Sequence, residues 1–442
     1  MKFNKVYFYP ISVFLGFLLY FLLFNLNIVN PDYSFGNPQL CVELVEYQLK
    51  IFDSIITYPF SCDQNFYYTG FENFSKVFEE TYNYQARPLY ILGGYLSFKI
   101  TNFFNNIFNL NSDYVTQFST YLYQLLIINS IVYIFYISIK EKVKISNFDY
   151  LVILTIIMIN PIYKWGMFVP SHQSATLLLI VFFIYFSSKE GLEVNYKISL
   201  IFGLFFLFHR SFLISFLGLI LYKNLNRLFR KDTYIKNTIN LLYFLLPNIF
   251  YESFIRFVLQ RSTYDANTEY WGQFVWLYDF IRGKVRYQSE WHCVTIPENF
   301  ICYLTDFSQM ILYILFPIIL LLLLFLINYF VDTSRKYPLI NQALFISFSL
   351  FLFWSLIGWY PPIRFNFYSL GHLMSILFVL VYVSEKQIVN KILIVISLTS
   401  AYLFIPHWNS PNISFEFGLF QLISLFCILL YCILKILEKQ KL

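Results

Sequence analysis

Basic side chains interrupt apolar sequence at several places in this chain. Arg87 stands at the start of the apolar run in "NYQARPLYILGGYLSFKI", Arg210 lies in the middle of "GLFFLFHRSFLISFLGLILYKNLNR", and Arg364 follows two prolines in "GWYPPIRFNFYSLGH". Guanidinium groups bind phosphate and carboxylate groups through two parallel hydrogen bonds. The three arginines therefore predict an anion-binding site, on the assumption that the fold brings them together.

Two histidines extend this set of candidate residues. His209 directly precedes Arg210, and His172 lies at the mouth of an apolar helix in "WGMFVPSHQSATLLL". Polar and charged side chains at membrane depth are costly and usually face a cavity or a partner. Simpler alternatives stay open for each residue. In the alternative for Arg210, its side chain snorkels to water or pairs with a carboxylate at a hairpin tip. In the alternatives for Arg87 and His172, each is an ordinary residue of the membrane interface.

A transfer reaction at such a site also needs a base, and acids are available between the first two apolar segments. Asp63 lies 24 positions before Arg87, and Asp32 follows the first apolar segment. A carboxylate within reach of a hydroxyl group accepts its proton as a general base. We take Asp63 as the first candidate and Asp32 as the second. The alternative for both is a solvated surface charge.

The elements that must position these residues are membrane helices. Of the 442 residues, 58% are hydrophobic, 22% are aromatic and only 13% are charged, which excludes an ordinary soluble domain. A hydrocarbon core about 30 Å thick needs about 20 apolar residues in a helix, and about 10 to 13 such segments follow one another, some short or broken. We therefore predict an all-α polytopic membrane protein in which residues 1–442 form a single integral membrane domain.

The distribution of Lys and Arg sets the predicted topology. The segment near 7–29 follows two lysines and is predicted to be a retained anchor with a cytoplasmic N-terminus. The other basic clusters fall on the inner side if two segments do not cross: 88–112 dips in from outside, and 197–222 forms a helical hairpin that enters from the cytoplasm. Two large outer loops result, 30–87 and 258–306. The net charge of +6 is explained by these inner clusters, so no nucleic-acid partner is predicted.

The cysteines follow the same division. Cys41 and Cys62 belong to the first outer loop and Cys293 and Cys302 to the second, while the other two lie in the last helix. Four cysteines allow three pairings, and the simplest in an oxidising compartment joins Cys41 to Cys62 and Cys293 to Cys302. Free thiols are the alternative. No metal-ligand spacing occurs, so the sequence requires no cofactor and leaves a divalent metal open.

Four stretches, taken in order, resemble the GT-C superfamily of membrane glycosyltransferases, which use polyprenyl-phosphate sugars, and within it the group of protein mannosyltransferases and aminoarabinose transferases. "CDQNFYY" and "ARPLYILGGYL" are similar to an Asp in the first outer loop and a later Pro-Leu-Tyr. "NPIYKWGMFVPSHQSATLLLIVFFIYF" is similar to an Asn-Pro helix end with a short outer loop, although His172 and Gln173 stand where many members carry an acid. "GLFFLFHRSFLISFLGLILYKN" and "YPPIRFNFYSLG" resemble the stretch with a central basic residue and the late outer segment.

This resemblance implies an inverting transfer from a polyprenyl-phosphate sugar to a glycan, lipid or protein acceptor on the periplasmic or extracellular face of the membrane. Asp63 or Asp32 would be the general base. Arg210 and Arg364 would hold the lipid phosphate and stabilise its charge as the sugar leaves, with Arg87 at the same mouth. We expect an integral protein of a bacterial inner (cell) membrane whose active site faces outward.

Other functions also fit the sequence. A polysaccharide polymerase or ligase of the O-antigen type would use outward-facing arginines, but it predicts no essential Asp in the first outer loop. A multi-pass transporter or flippase commonly shows internal repeats with matching broken helices, and residues 88–222 and 307–434 show no convincing repeat. A structural membrane protein predicts that no single outer charge matters.

Overall fold

The computed structural model is a bundle of α-helices. It describes residues 29–31, 48–51, 56–59, 64–79, 85, 87–108, 115–139, 146–160, 176–189, 191–224, 230–261, 282, 316–328, 340–356, 363–403 and 419–440. Within these ranges there are thirteen α-helices: α1 (Gln64–Glu72), α2 (Pro88–Phe108), α3 (Val115–Ile139), α4 (Asn147–Met158), α5 (Leu177–Ser188), α6 (Tyr196–Phe206), α7 (Phe212–Asn224), α8 (Lys231–Ser253), α9 (Phe316–Asn328), α10 (Ile340–Leu356), α11 (Ile363–Ser384), α12 (Ile388–Leu403) and α13 (Leu419–Gln440). A 3₁₀ helix (Phe74–Phe78) follows α1, and a π-helical turn (Phe254–Val258) continues α8.

Three helices are long and apolar enough to cross a membrane. The candidate spans are Ser119–Ile139 in α3, Asp232–Val258 in α8 and its π-helical turn, and Leu419–Glu438 in α13. A further eight helices are apolar but shorter. Because spans of this length and composition are stable as helices only in a bilayer or a large core, they indicate a membrane location and confirm the coarse prediction of a helical membrane protein with short segments. The full number of crossings stays a prediction.

The described residues also include a small sheet, which the all-α prediction did not contain. Its strands are β1 (Val29–Pro31), β2 (Gln48–Ile51) and β3 (Ile56–Pro59), all antiparallel in the order β1-β2-β3. Val29 pairs with Ile51, and Ile51 pairs with Ile56. The predicted first outer loop therefore has secondary structure of its own. The remainder of the predicted first helix lies outside the described residues.

Helices α2 and α3 form an antiparallel pair whose ends are not level. The Ser97 hydroxyl donates to the Ser119 carbonyl (2.7 Å), and the Gln124 amide donates to the Tyr90 hydroxyl (3.0 Å). Residues near the start of α2 are therefore level with the middle of α3. Residues 88–108 form one continuous helix, and buried residues occur along it from Tyr90 to Asn105. Its entry from the outer side stays a prediction.

Helices α6 and α7 form the hairpin predicted over 197–222. α6 ends at Phe206 and α7 begins at Phe212, and the aromatic rings of Phe202 and Phe216 pack 5.7 Å apart across the pair. At the open end, the Lys223 ammonium donates to the Lys189 carbonyl just before α6 (2.8 Å). The chain therefore returns to the end from which it entered. The predicted hairpin is confirmed, and its entry from the cytoplasm stays a prediction.

Helix α8 packs on this hairpin at very short range. A Cβ atom added to Gly203 would lie 2.2 Å from the Phe244 carbonyl oxygen, so only glycine permits this approach of α6 to α8. α8 begins at Lys231, ten residues before the apolar run that starts at Leu241. Its polar first turns are held by tertiary contacts, because the Asn240 amide donates to the Val194 carbonyl (3.0 Å).

One end of the bundle collects lysines, and we call it the lysine end, defined by Lys223, Lys236, Lys391 and Lys435. Lys223 closes the open end of the hairpin, and Lys236 pairs with Glu193. The other two lysines are in ion pairs between helices, described below. Several of these lysines belong to the clusters that the sequence assigns to the inner side of the membrane. They lie at one end of the bundle, and which membrane face this is stays a prediction.

Candidate functional site

The hairpin tip meets the chain segment that leads into α2. The Leu89 N–H donates to the Leu207 carbonyl (3.3 Å), and the Phe208 ring contacts the Tyr90 ring edge-on at 5.4 Å between centroids. Arg210 is three residues after Leu207, and Arg87 is two residues before Leu89. The fold thus brings two of the predicted site residues, distant in sequence, to one place.

Both arginines act electrostatically on the side chain of His209. Its side chain is buried, and it is within electrostatic range of Arg87, Arg210 and His372. The Ser211 N–H donates to His209 Nδ1 (3.1 Å). A ring nitrogen that accepts a hydrogen bond carries no proton, so the neutral ring has its donor on Nε2. The backbone of the hairpin tip therefore fixes both the orientation and the tautomer of this imidazole.

His372 is the residue of this group that the sequence reasoning missed. It is fully buried in α11, and its Nε2 lies 2.8 Å from the hydroxyl of Thr176, which directly precedes α5. One turn along α11, the Ser375 hydroxyl accepts from the Asn160 amide (3.5 Å). The sequence carries a signal for it, because His372 ends the stretch "GWYPPIRFNFYSLGH", which also contains Arg364.

We call Arg87, Thr176, His209, Arg210 and His372 the polar layer. It lies at the ends of short helices whose other ends reach the lysine end: α4, α5, α6 and α7 contain 12, 12, 11 and 13 residues. With a rise of 1.5 Å per residue, these helices are about 17 to 20 Å long. Because a hydrocarbon core is about 30 Å thick, the polar layer is at membrane depth in a chain that spans a bilayer.

Such an arrangement can bind an anion. Guanidinium groups supply up to five donors each in a planar fork that matches phosphate oxygens. The two arginines are half-buried, and the imidazoles beside them are buried. Away from bulk water, cationic donors fixed by a fold stabilise negative charge far more than the same groups do in water. The polar layer has the donor types and the surroundings for an anionic head group.

The structure does not place the other predicted site residues in the polar layer. Asp63, Asp32 and His172 lie outside the described residues. Arg364 is the second residue of α11, eight residues before His372, which puts their Cα atoms about 12 Å apart along the helix axis. The Arg364 side chain lies outside the described part of the chain. The structure therefore brings Arg87, His209 and Arg210 together and adds His372 and Thr176.

The predictions about cysteines and metals concern other parts of the chain than the polar layer. Cys41, Cys62, Cys293 and Cys302 are outside the described ranges, so their pairing stays a prediction. The two cysteines in α13 are free thiols, at positions 427 and 432. Among the described residues, no group of three or more His, Cys, Asp or Glu side chains is arranged to hold a metal ion.

Comparison of the chain with protein-family models, with curated proteins and with solved structures finds no match. The resemblance to the GT-C superfamily therefore rests on the four sequence stretches alone. Fold and site supply the remaining arguments about function.

Proposed function

We propose that this protein is a membrane glycosyltransferase that moves a sugar from a polyprenyl-phosphate donor to an acceptor on the outer face of the membrane. The observation that carries this proposal is the convergence of Arg87, Arg210 and two histidines at membrane depth. A lipid phosphate brings its negative charge to the edge of the bilayer, with an apolar tail that stays in the hydrocarbon. The polar layer offers cationic donors at a depth that such a head group can reach.

In this mechanism the polar layer stabilises the leaving group. As the bond between sugar and phosphate breaks, negative charge accumulates on the lipid phosphate. Arg87 and Arg210 hold that charge, and the Nε2 donor of His209 adds a hydrogen bond. Removing one such donor from a transition state typically lowers kcat by about 10²- to 10³-fold. Arg364 is a further phosphate ligand in the same proposal.

The general base comes from the first outer loop, with Asp63 before Asp32. Asp63 directly precedes α1, and the ring of Tyr67 in α1 packs edge-on against Tyr90 at 5.6 Å between centroids. Tyr90 is one helical turn from Arg87. The chain at the start of α1 is therefore near the polar layer, whereas Asp32 follows β1 in the small sheet. The base takes the proton from the acceptor hydroxyl as the oxygen attacks the sugar.

The test is transfer of radiolabelled sugar from a panel of polyprenyl-phosphate donors by the purified protein in proteoliposomes. The variants are Asp63→Asn, Asp32→Asn and Arg210→Gln at equal abundance. Arg230→Gln is the matched control, because Arg230 is an exposed arginine just before α8, at the lysine end. We expect transfer by the parent and the control, and loss of about 10²-fold or more with Arg210→Gln and with one Asp variant.

Each other outcome identifies another class of protein. Essential arginines with no essential Asp in the first outer loop favour a polymerase or ligase. No transfer from any donor contradicts the glycosyltransferase and favours a transporter or flippase. Transfer at the parental rate by all three variants leaves the enzyme class standing and contradicts the site assignment.

A further inference from the structure

A groove runs along the surface of the bundle between α4 and α12, starting at the lysine end. Its volume is about 440 Å³. It is lined by Ser146, Phe148, Asp149, Val152, Tyr382, Lys386, Ile388, Lys391, Ile392, Val395 and Ile396. None of these residues belongs to the polar layer, which lies at the other ends of the short helices.

The walls of the groove are apolar stripes that face outward. On α12, Ile388, Ile392 and Ile396 are spaced four residues apart and are 69%, 48% and 42% exposed. On α4, Phe148 and Val152 form the opposite stripe, and Phe148 is 66% exposed. Residues four apart lie on the same face of a helix. The stripe on α12 is therefore continuous over eight residues, about 12 Å.

The head of the groove is polar, and its lining residues carry two lysines and one carboxylate. The Lys391 ammonium lies 2.7 Å from Asp149 Oδ1, which also accepts from the Tyr382 hydroxyl (3.0 Å). The Ser146 N–H and hydroxyl donate to Asp149 Oδ2 (2.9 and 2.7 Å). Lys386 is exposed at the same end. Both oxygens of the Asp149 carboxylate already accept hydrogen bonds, so this carboxylate neutralises at most one of the two lysines.

We propose that this groove binds one anionic phospholipid. An acyl chain lies along the two apolar stripes, and the lipid phosphate contacts Lys386 and the outer side of Lys391. Charge and shape agree, because the basic head and the apolar groove are in the order in which a bilayer presents phosphate and hydrocarbon. Basic pockets between membrane helices bind anionic head groups in this way. This proposal is independent of the proposed glycosyltransferase activity.

The groove suits a lipid chain better than a helix of another protein. A helix packed on the two apolar stripes would bring no fixed negative charge to Lys386 and Lys391. A lipid acyl chain is flexible and narrow, and its phosphate supplies the negative charge. A second membrane protein in this place is one of the outcomes that the experiment below separates.

The test is native mass spectrometry of the full chain, purified in detergent and exposed to dioleoyl phosphatidylglycerol or dioleoyl phosphatidylcholine. One lysine near the membrane surface contributes about 1 kcal/mol to binding of an anionic lipid, which is about fivefold. We expect Lys386→Gln to lower phosphatidylglycerol retention about fivefold. Ile392→Trp, which fills the groove, should lower retention of both lipids. Lys197→Gln is the matched control, an exposed lysine at the start of α6, outside the groove.

The outcomes separate clearly. Unchanged phosphatidylglycerol retention in both Lys386→Gln and Ile392→Trp overturns the proposal. Equal retention of the two lipids by the parent overturns the selectivity for an anionic head group. Co-purification of a second protein that Ile392→Trp removes, without a change in lipid retention, also overturns it. Lys386→Gln changes an exposed side chain outside the ion pairs, and an unchanged melting temperature shows that this variant is folded.

Discussion

The two ends of the short helices use charge in opposite ways. At the lysine end, cations stand beside carboxylates from neighbouring helices: Lys435 lies 2.6 Å from Glu385, and Lys391 lies 2.7 Å from Asp149. In the polar layer, the described groups that act electrostatically on His209 include Arg87, Arg210 and a second histidine. The first arrangement joins helices to one another, and the second gathers hydrogen-bond donors, where we propose an anion site.

The comparison separates two roles that buried charge has in a membrane protein: holding helices together and forming a site. Lys435 and Glu385 are 2% and 0% exposed, and the Tyr431 hydroxyl also donates to Glu385 Oε2 (3.1 Å). A buried ion pair with its hydrogen bonds satisfied is a structural contact between α11 and α13. Ionisable side chains gathered at membrane depth mark a candidate functional site, and this is the reason for proposing one at the polar layer.

Loss of Lys435 is the largest expected effect on stability. Lys435→Ala leaves the Glu385 carboxylate buried without its cation, and breaking a buried pair in this way costs about 3 to 5 kcal/mol. The measurement is the free energy of unfolding in mixed detergent micelles. The double variant Lys435→Met with Glu385→Gln removes both charges and should recover most of the loss. Equal losses in the single and double variants would show that the pair itself does not hold α13 against α11.

A smaller loss is expected at the contact between His372 and Thr176. His372→Leu removes one hydrogen bond to the buried Thr176 hydroxyl, and such a hydrogen bond contributes about 0.5 to 1.5 kcal/mol. His372→Gln keeps a hydrogen-bonding group at this position and should restore much of the stability. If His372 only holds α11 against α5, sugar transfer will follow stability in both variants. Full stability with lost transfer in His372→Gln would place the imidazole in the reaction.

The smallest effect is expected at the exposed pair of the lysine end. The side chains of Lys236 and Glu193 are 50% and 72% exposed, and exposed pairs contribute about 0 to 1 kcal/mol. Lys236→Ala should therefore change the unfolding free energy by less than about 1 kcal/mol, and the change should shrink further at high salt. A loss as large as that of Lys435→Ala would contradict the distinction between buried and exposed pairs.

The local features of the candidate site could be predicted from sequence. A basic residue in the middle of an apolar, glycine-containing run indicates a break, and the hairpin tip is at Arg210 for that reason. The contact of Leu89 with Leu207 shows that the segment before α2 and the hairpin tip meet, and a shared role of Arg87 and Arg210 stays a prediction. The prediction at Arg210 follows from the cost of placing charge in hydrocarbon, which is a property of short stretches. The placement of Arg87 at the same mouth comes from the resemblance to the GT-C superfamily.

The missed features depend on distant contacts. Thr176 and His372 are 196 residues apart, and nothing in either local sequence shows that α5 and α11 pack together. The first turns of α8 are polar, and their helix is stabilised by the chain before α6 through Asn240. The strands of the small sheet contain three or four residues each, too few for an alternating pattern to stand out from apolar sequence.

The central claim is that the polar layer binds a lipid phosphate, and its most direct test is equilibrium binding of a fluorescent polyprenyl monophosphate to the purified protein in nanodiscs. Hydrogen bonds to charged groups contribute about 1.5 to 3 kcal/mol, so Arg87→Gln and Arg210→Gln should each weaken binding by about tenfold or more. Arg230→Gln should bind like the parent. If both polar-layer variants also bind like the parent, the arginines do not hold the phosphate and the account of this site is wrong.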